Sequence, residues 1–201
     1  MNNDFITGSP GKFPKSKYFN WLYRGSWNAN TIISMAIGQG ELLLTPIQMA
    51  NMTAIISNRG YYYTPHIIKN IEGEAGIDSS FTQKRYCSIN KKYFEPIIEG
   101  MSNVVNNAEG TASGCKIPNY EICGKTGTAQ NPHGEDHSIF IAFAPRENPK
   151  IAIAVYVENG GWGSTWAAPI ASLMIEKYLN KEVTNKIQET FILNGSLMTK
   201  K

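Results

Sequence analysis

The 201-residue sequence predicts an α+β fold on three observations. Three apolar, β-rich stretches follow one another at Tyr120–Gln130, His137–Ala144 and Ile151–Glu158, separated only by short polar loops. The turn "PRENP" between the last two has the length that closes an antiparallel hairpin. Segments of helical character, Thr45–Asn58 and Ala167–Leu179, flank this block, so helices are expected to lie on an antiparallel sheet.

Residues 1–30 are rich in Gly, Pro, Ser, Asn and aromatics, and are expected to run as irregular surface chain. Thr45 suits an N-cap, Pro46 the first helical position, and Gly60 stands just past the helix end. Ile47, Ala50, Ala54 and Ile55 supply its apolar stripe. Tyr61 to Ile71 is aromatic and β-branched and reads as extended. Residues 91–107, "KKYFEPIIEGMSNVVNN", read as a helix carrying Pro96 and Gly100. A Gly-rich loop, "NGGWGS", precedes the amphipathic helix Ala167–Leu179, and the chain from Asn180 is polar and expected to be loosely held.

Composition is ordinary for a soluble globular chain, with 42% hydrophobic and 17% charged residues. Net charge is +3, and the basic residues are scattered apart from Lys91-Lys92 and Lys200-Lys201, which argues against nucleic acid as a partner. Cys87, Cys115 and Cys123 show no C-x-x-C spacing and cannot all pair, so they read as reduced or buried thiols. No apolar run approaches a membrane span, and "MNNDFITGSPGK" has no apolar signal region. The expectation is a chain with neither signal nor membrane segment.

The chemistry concentrates in "EICGKTGTAQNPHGEDHSIFIAFAP". Gly124 and Gly127 would let another backbone lie along this strand, as an added peptide strand requires. Lys125 supplies a positive charge, and Thr126 and Thr128 supply hydroxyls at i and i+2, on one face of a strand. That combination suits a bound carboxylate, and the Thr128 N–H suits half of an oxyanion hole. A phosphate loop ending in "GKT" is excluded, because Asn119 stands where its first glycine is needed and a Pro-Gly loop follows instead of a helix.

K-T-G is one of three motifs of serine enzymes of the penicillin-binding class, beside S-x-x-K and S-D-N, the last read more loosely as S-x-N. The blocks around it agree. "NTIISMAIGQGELLLTPIQMANMTAIISNRGYYYTPHIIK" resembles the class B penicillin-binding proteins. "NPHGEDHSIFIAFAP" and "VENGGWGSTWAAPIASLMIEKYL" resemble their elongation-type subgroup, penicillin-binding protein 2, a peptidoglycan DD-transpeptidase. The resemblance runs from about Gly8 to Leu179.

This resemblance implies the penicillin-binding protein/β-lactamase-like transpeptidase fold, an antiparallel sheet with flanking helices whose N-terminal part is missing. It implies residues 1–180 as the C-terminal portion of a transpeptidase domain and 181–201 as a polar tail. Lys125 would join the proton and hydrogen-bond network beside the nucleophile, and Thr126 and Thr128 would hold the terminal carboxylate of a D-Ala-D-Ala stem peptide or a β-lactam. Gly127 would leave room for the substrate strand, with Ala129 and Gln130 continuing the contact. No cofactor and no metal are implied. A full-length parent would carry an inner-membrane anchor, lie in the cell envelope on the extracytoplasmic face, and work with a SEDS-family glycosyltransferase.

The family's nucleophile is the serine of S-x-x-K at a helix start. Three formal matches occur, Ser9–Lys12, Ser88–Lys91 and Ser113–Lys116, and none has that setting. Ser26-Trp-Asn28 and Ser88-Ile-Asn90 spell S-x-N without its surroundings. The expectation is a substrate-binding strand without its serine, inactive alone; the alternative is a non-catalytic remnant serving as a protein-interaction module. The isolated sheet would have an open edge, an uncovered apolar face and poor solubility. Among other residues, His133 and His137 have metal-like spacing but lie in a loop, and His66 reads as structural. Cys123 reads as a buried thiol more readily than as a nucleophile, and Trp162 and Trp166 as packing residues.

Overall fold

The computed structural model describes residues 9–69 and 77–197. The chain divides into two compact units, one ending at Thr45 and the other beginning at Pro46.

The first unit holds two helices, α1 (Ser16–Leu22), which stands within the stretch up to residue 30 read as irregular, and α2 (Ala29–Ala36), which begins at its end. Local signals for α1 are weak, since Lys15 provides no side-chain cap. What forms α1 is aromatic packing. Phe19 is 1% exposed, with the rings of Tyr18, Trp27 and Tyr23 centred 5.6, 5.8 and 6.2 Å away. Asn28 caps α2 by accepting from the Asn30 N–H. Paired backbone bonds between Lys12 and Leu43 close the unit.

The second unit is helices on an antiparallel sheet. Its elements are α3 (Pro46–Ser57), β1 (Tyr61–Tyr62), α4 (Ser79–Thr82), β2 (Arg85–Tyr86) and α5 (Phe94–Asn106). These are followed by β3 (Cys123–Ala129), β4 (His137–Ala144), β5 (Ile151–Val157), α6 (Ala167–Asn180) and α7 (Lys186–Asn194). A single 3-10 turn, Lys91–Tyr93, leads into α5. The extended reading of 61–71 holds only for the short β1, which pairs with β2, and residues 70 and 71 lie outside the described residues.

The main sheet has the order β3-β4-β5, with both pairings antiparallel. Alternation assigns its faces. Phe140, Ala142 and Ala144 of β4 and Ile153 of β5 pack with Ala168, Ala171 and Ile175 of α6. On the other face Phe143 and Cys123 pack with Phe94, Ile98 and Met101 of α5 and with Ile55 and Ile56 of α3. Both faces are therefore covered, which corrects the expectation of a bare apolar face. Among the described residues the outer edges of β3 and β5 carry no further strand.

The segment beyond residue 180 is also more ordered than its polarity suggested. Asn185 caps α7 through the Gln188 N–H, and the Gln188 amide donates to the Pro169 carbonyl at 2.9 Å. Phe191 stacks on Trp166 with centroids 5.4 Å apart, and Thr184 bonds the buried Glu176. These contacts to α6 hold a helix that its own sequence specifies only weakly.

A charged clamp fixes the start of β3. Glu121 accepts from the buried Ser102 hydroxyl of α5 and from Arg146 Nη1 at 3.0 Å, while Arg146 Nη2 reaches Glu99. The Ser102 hydrogen bond, and secondarily Arg146, hold the Glu121 carboxyl below its ordinary value. A lowered folded pKa means stability present above the ordinary glutamate range and lost as pH falls through it. The melting temperature is therefore expected to decline as pH drops from about 5 toward 3, with a shallower decline for Ser102→Ala. Equal slopes for the two proteins in calorimetric scans would remove Glu121 from this account.

Candidate active-site strand

β3 carries "CGKTGTA", and its register with β4 sets where each side chain goes. Lys125 lies opposite Ile141 and Gly127 opposite Ile139, on the α3/α5 face. Thr126 lies opposite Phe140 and Thr128 opposite Ser138, on the α6 face. The lysine and the hydroxyls thus project from opposite faces of one strand, and only an edge strand offers both to a single ligand. Lys125 is exposed, and its ammonium donates to the Thr126 carbonyl at 2.7 Å. Ala129 is half-buried and Gln130 exposed at the end of the strand.

The two hydroxyls are held by different neighbours. Thr126 Oγ1 lies 3.0 Å from Thr111 Oγ1, on the connection leaving α5. Thr128 Oγ1 accepts from the Gly163 N–H at 3.4 Å. Neither Thr111 nor Gly163 stood out in the sequence. Gly124 has a different task from the one its spacing suggested: a Cβ there would come within 2.3 Å of the Phe140 ring, so it serves the core. At Gly127 a Cβ would meet Ile139 at 3.3 Å, a contact that a small shift relieves.

The Gly-rich loop after β5 crosses the sheet toward β3. A Cβ on Gly160 would lie 2.9 Å from Ser138 Cβ, and one on Gly163 would lie 2.5 Å from the Gly127 and Ile139 carbonyl oxygens. The buried Ser138 hydroxyl donates to the Trp162 carbonyl at 2.8 Å and accepts from the Ala167 N–H at 3.1 Å. A buried hydroxyl in the apolar run "HSIFIAFA" needs such partners, and that was the signal available in the sequence. The 131–137 loop joins the same scaffold. Asn131 donates to Asn159 at 2.8 Å, and the His137 ring accepts from the Asn159 N–H at 3.1 Å.

The other candidate groups are placed elsewhere. His133 is exposed, and no cluster of three or more metal-ligating side chains occurs among the described residues. His66 bonds the Thr64 carbonyl and packs on Phe81. Burial, and then Glu121, pushes the Cys123 thiol up to about 12, and burial pushes Cys115 up to about 11, so neither offers a thiolate nucleophile. Trp166 packs as expected, whereas Trp162 is 73% exposed, against the packing reading.

None of the three S-x-x-K matches forms a dyad on a helix. The Lys12 ammonium turns to the Tyr18 hydroxyl and sits 3.9 Å from the centre of its ring. Ser88 is exposed ahead of the 3-10 turn that Asn90 caps. Ser113 begins a single 3-10 turn, Ser113–Cys115, which ends before Lys116.

An edge strand bearing K-T-G-T, flanked by a glycine loop and covered by helices, is the arrangement of the penicillin-binding transpeptidases. The chain matches the penicillin binding protein transpeptidase domain over residues 4–176 and belongs to that family. Its relatives are of the MrdA/PBP2 kind. It is 38% identical to the peptidoglycan D,D-transpeptidase MrdA of Haemophilus influenzae, over 85% of this chain and 29% of the relative. Among solved structures it resembles Pseudomonas aeruginosa PBP2 in complex with WCK 5153, with 34% identity and a TM-score of 0.74 over 88% of this chain and 39% of that one. It also resembles Helicobacter pylori PBP2 in complex with MreC, with 28% identity and a TM-score of 0.69 over 84% of this chain and 31% of that one. The chain thus spans about three tenths of the length of the curated relative. No helix among the described residues is long and apolar enough to cross a membrane.

The close approach at Gly163 carries a prediction. Gly163→Ala forces its methyl against two carbonyl oxygens and is expected to cost about 1–3 kcal/mol in urea unfolding. Gly114→Ala, where nothing lies within 4 Å, is expected to be near neutral. Equal stability of the two variants would contradict the loop's contact with β3.

Proposed function

We propose that this chain is the substrate-strand portion of a peptidoglycan D,D-transpeptidase, binding D-Ala-D-Ala stem peptides and β-lactams during cell-wall cross-linking. One observation carries the reading: the K-T-G-T residues lie on a strand that, among the described residues, pairs with a neighbour on one side only. An extended peptide adds to such an edge through main-chain hydrogen bonds. Thr126 and Thr128 hold the terminal carboxylate, Lys125 adds positive charge and joins the proton network of the nucleophile, and the Thr128 N–H completes an oxyanion hole. Gly127 makes room, and Ala129 and Gln130 extend the contact. The residues 1–180 form the C-terminal part of the catalytic domain in this reading.

The serine that attacks the peptide belongs to an S-x-x-K at a helix start, a setting that none of the three matches has, so in this reading the chain alone binds without turning over. The parent protein sits at the extracytoplasmic face of the inner membrane and works with a SEDS-family glycosyltransferase. The complex of the H. pylori relative with MreC supports a parent protein that works with partner proteins.

Fluorescent penicillin is expected to leave no covalent adduct on the 201-residue chain, because none of the three S-x-x-K serines stands one helical turn before its lysine. An N-acyl-D-Ala-D-Ala peptide is expected to bind, and Thr126→Ala with Thr128→Ala to weaken it about tenfold or more through lost charge-assisted hydrogen bonds. A stable adduct on Ser9, Ser88 or Ser113, or peptide binding indifferent to the two threonines, would contradict the assignment.

A further inference from the structure

The loop between β5 and α6 fastens its backbone to the sheet and leaves one large side chain outside. Gly160 and Gly163 lie so close to the strands that a Cβ on either would clash. Between them, the Trp162 carbonyl accepts from the buried Ser138 hydroxyl at 2.8 Å, and the Gly161 N–H donates to the Asp136 carbonyl at 2.7 Å. Asn159 is tied to both His137 and Asn131. Yet the Trp162 side chain is 73% exposed and stacks on no ring among the described residues, whereas Trp166 four positions on is stacked against Phe191.

A single exposed apolar residue is ordinary on a mobile loop. An indole on a backbone pinned at every neighbouring residue has a fixed root, and only its own two torsions remain to be ordered. It stands beside the carboxylate-gripping strand, since the next residue, Gly163, donates to Thr128 Oγ1 at 3.4 Å. Indole presents a large flat apolar surface with only two torsions to order, which makes it an effective contact for an aliphatic or aromatic group.

We propose that Trp162 is a specificity-determining residue, packing against the apolar group attached on the amino side of a bound D-Ala-D-Ala terminus. This rests on the substrate-strand reading above. Residues Thr126 and Thr128 set whether a peptide carboxylate binds; Trp162 sets which acyl group beside it is preferred. Binding is therefore graded by the size and flatness of that acyl group, independently of the carboxylate.

The test titrates the 201-residue chain with N-acetyl-D-Ala-D-Ala and N-benzoyl-D-Ala-D-Ala by NMR. Wild-type protein is expected to bind the benzoyl peptide about three- to tenfold more tightly than the acetyl peptide. Trp162→Ala is expected to abolish that ratio while keeping the acetyl affinity, and Trp162→Phe to retain most of it. Thr128→Ala is expected to weaken both peptides and leave the ratio intact. A Trp162→Ala protein that keeps the preference, or loses both peptides equally, would overturn the proposal. Unchanged affinity for both peptides in Thr128→Ala would overturn the strand reading itself, a result read from absolute affinities and not from their ratio.

Discussion

Everything at the site follows from the seven-pair ladder between β3 and β4. The ladder assigns each β3 side chain to a face, and a slip of one residue would exchange the lysine with the threonines. Core packing enforces that register. Gly124 accepts the Phe140 ring where any side chain would collide, and Cys123 enters the cluster around Phe143. The same ladder satisfies only one side of β3. Among the described residues the other side pairs with no strand, and it is the edge proposed to receive an extended ligand, so the constraint that builds the fold also leaves that edge open.

The two ends of β3 are fixed by different means. At its start, Ser102 of α5 and Arg146 after β4 meet on Glu121, so helix, strand and turn share one carboxylate. At its far end the fastening is backbone contact: Gly163 rests on Gly127, with Ser138 bridging the loop to the first turn of α6. A charge-based clamp responds to pH, whereas a steric contact does not. The proposed substrate-binding residues lie between the two, where a strand least able to shift keeps its hydroxyls in place.

Much of this was legible in the sequence because local and tertiary signals agreed. Pro46 and Gly60 bracket α3, and the runs at His137–Ala144 and Ile151–Val157 alternate as two-sided buried strands do. Three features were not legible, each for a physical reason. The first is α1, which lacks a capping side chain and depends on aromatic rings around Phe19. The second is α7, whose polar sequence becomes helical through contacts to Trp166 and Pro169. The third is the set of partners Thr111, Ser138 and Gly163, which meet Thr126, Trp162 and Thr128 only when distant segments converge. Motif spacing identifies a strand; it carries no record of what packs beside it.

The central claim, that the outer edge of β3 receives an extended peptide, is tested most directly by amide hydrogen exchange on the 201-residue chain with saturating N-acyl-D-Ala-D-Ala. Main-chain pairing is expected to slow exchange at amides between Lys125 and Gln130 and to leave those of β5 unchanged. Protection appearing along β5 instead, or nowhere in the sheet, would contradict the account.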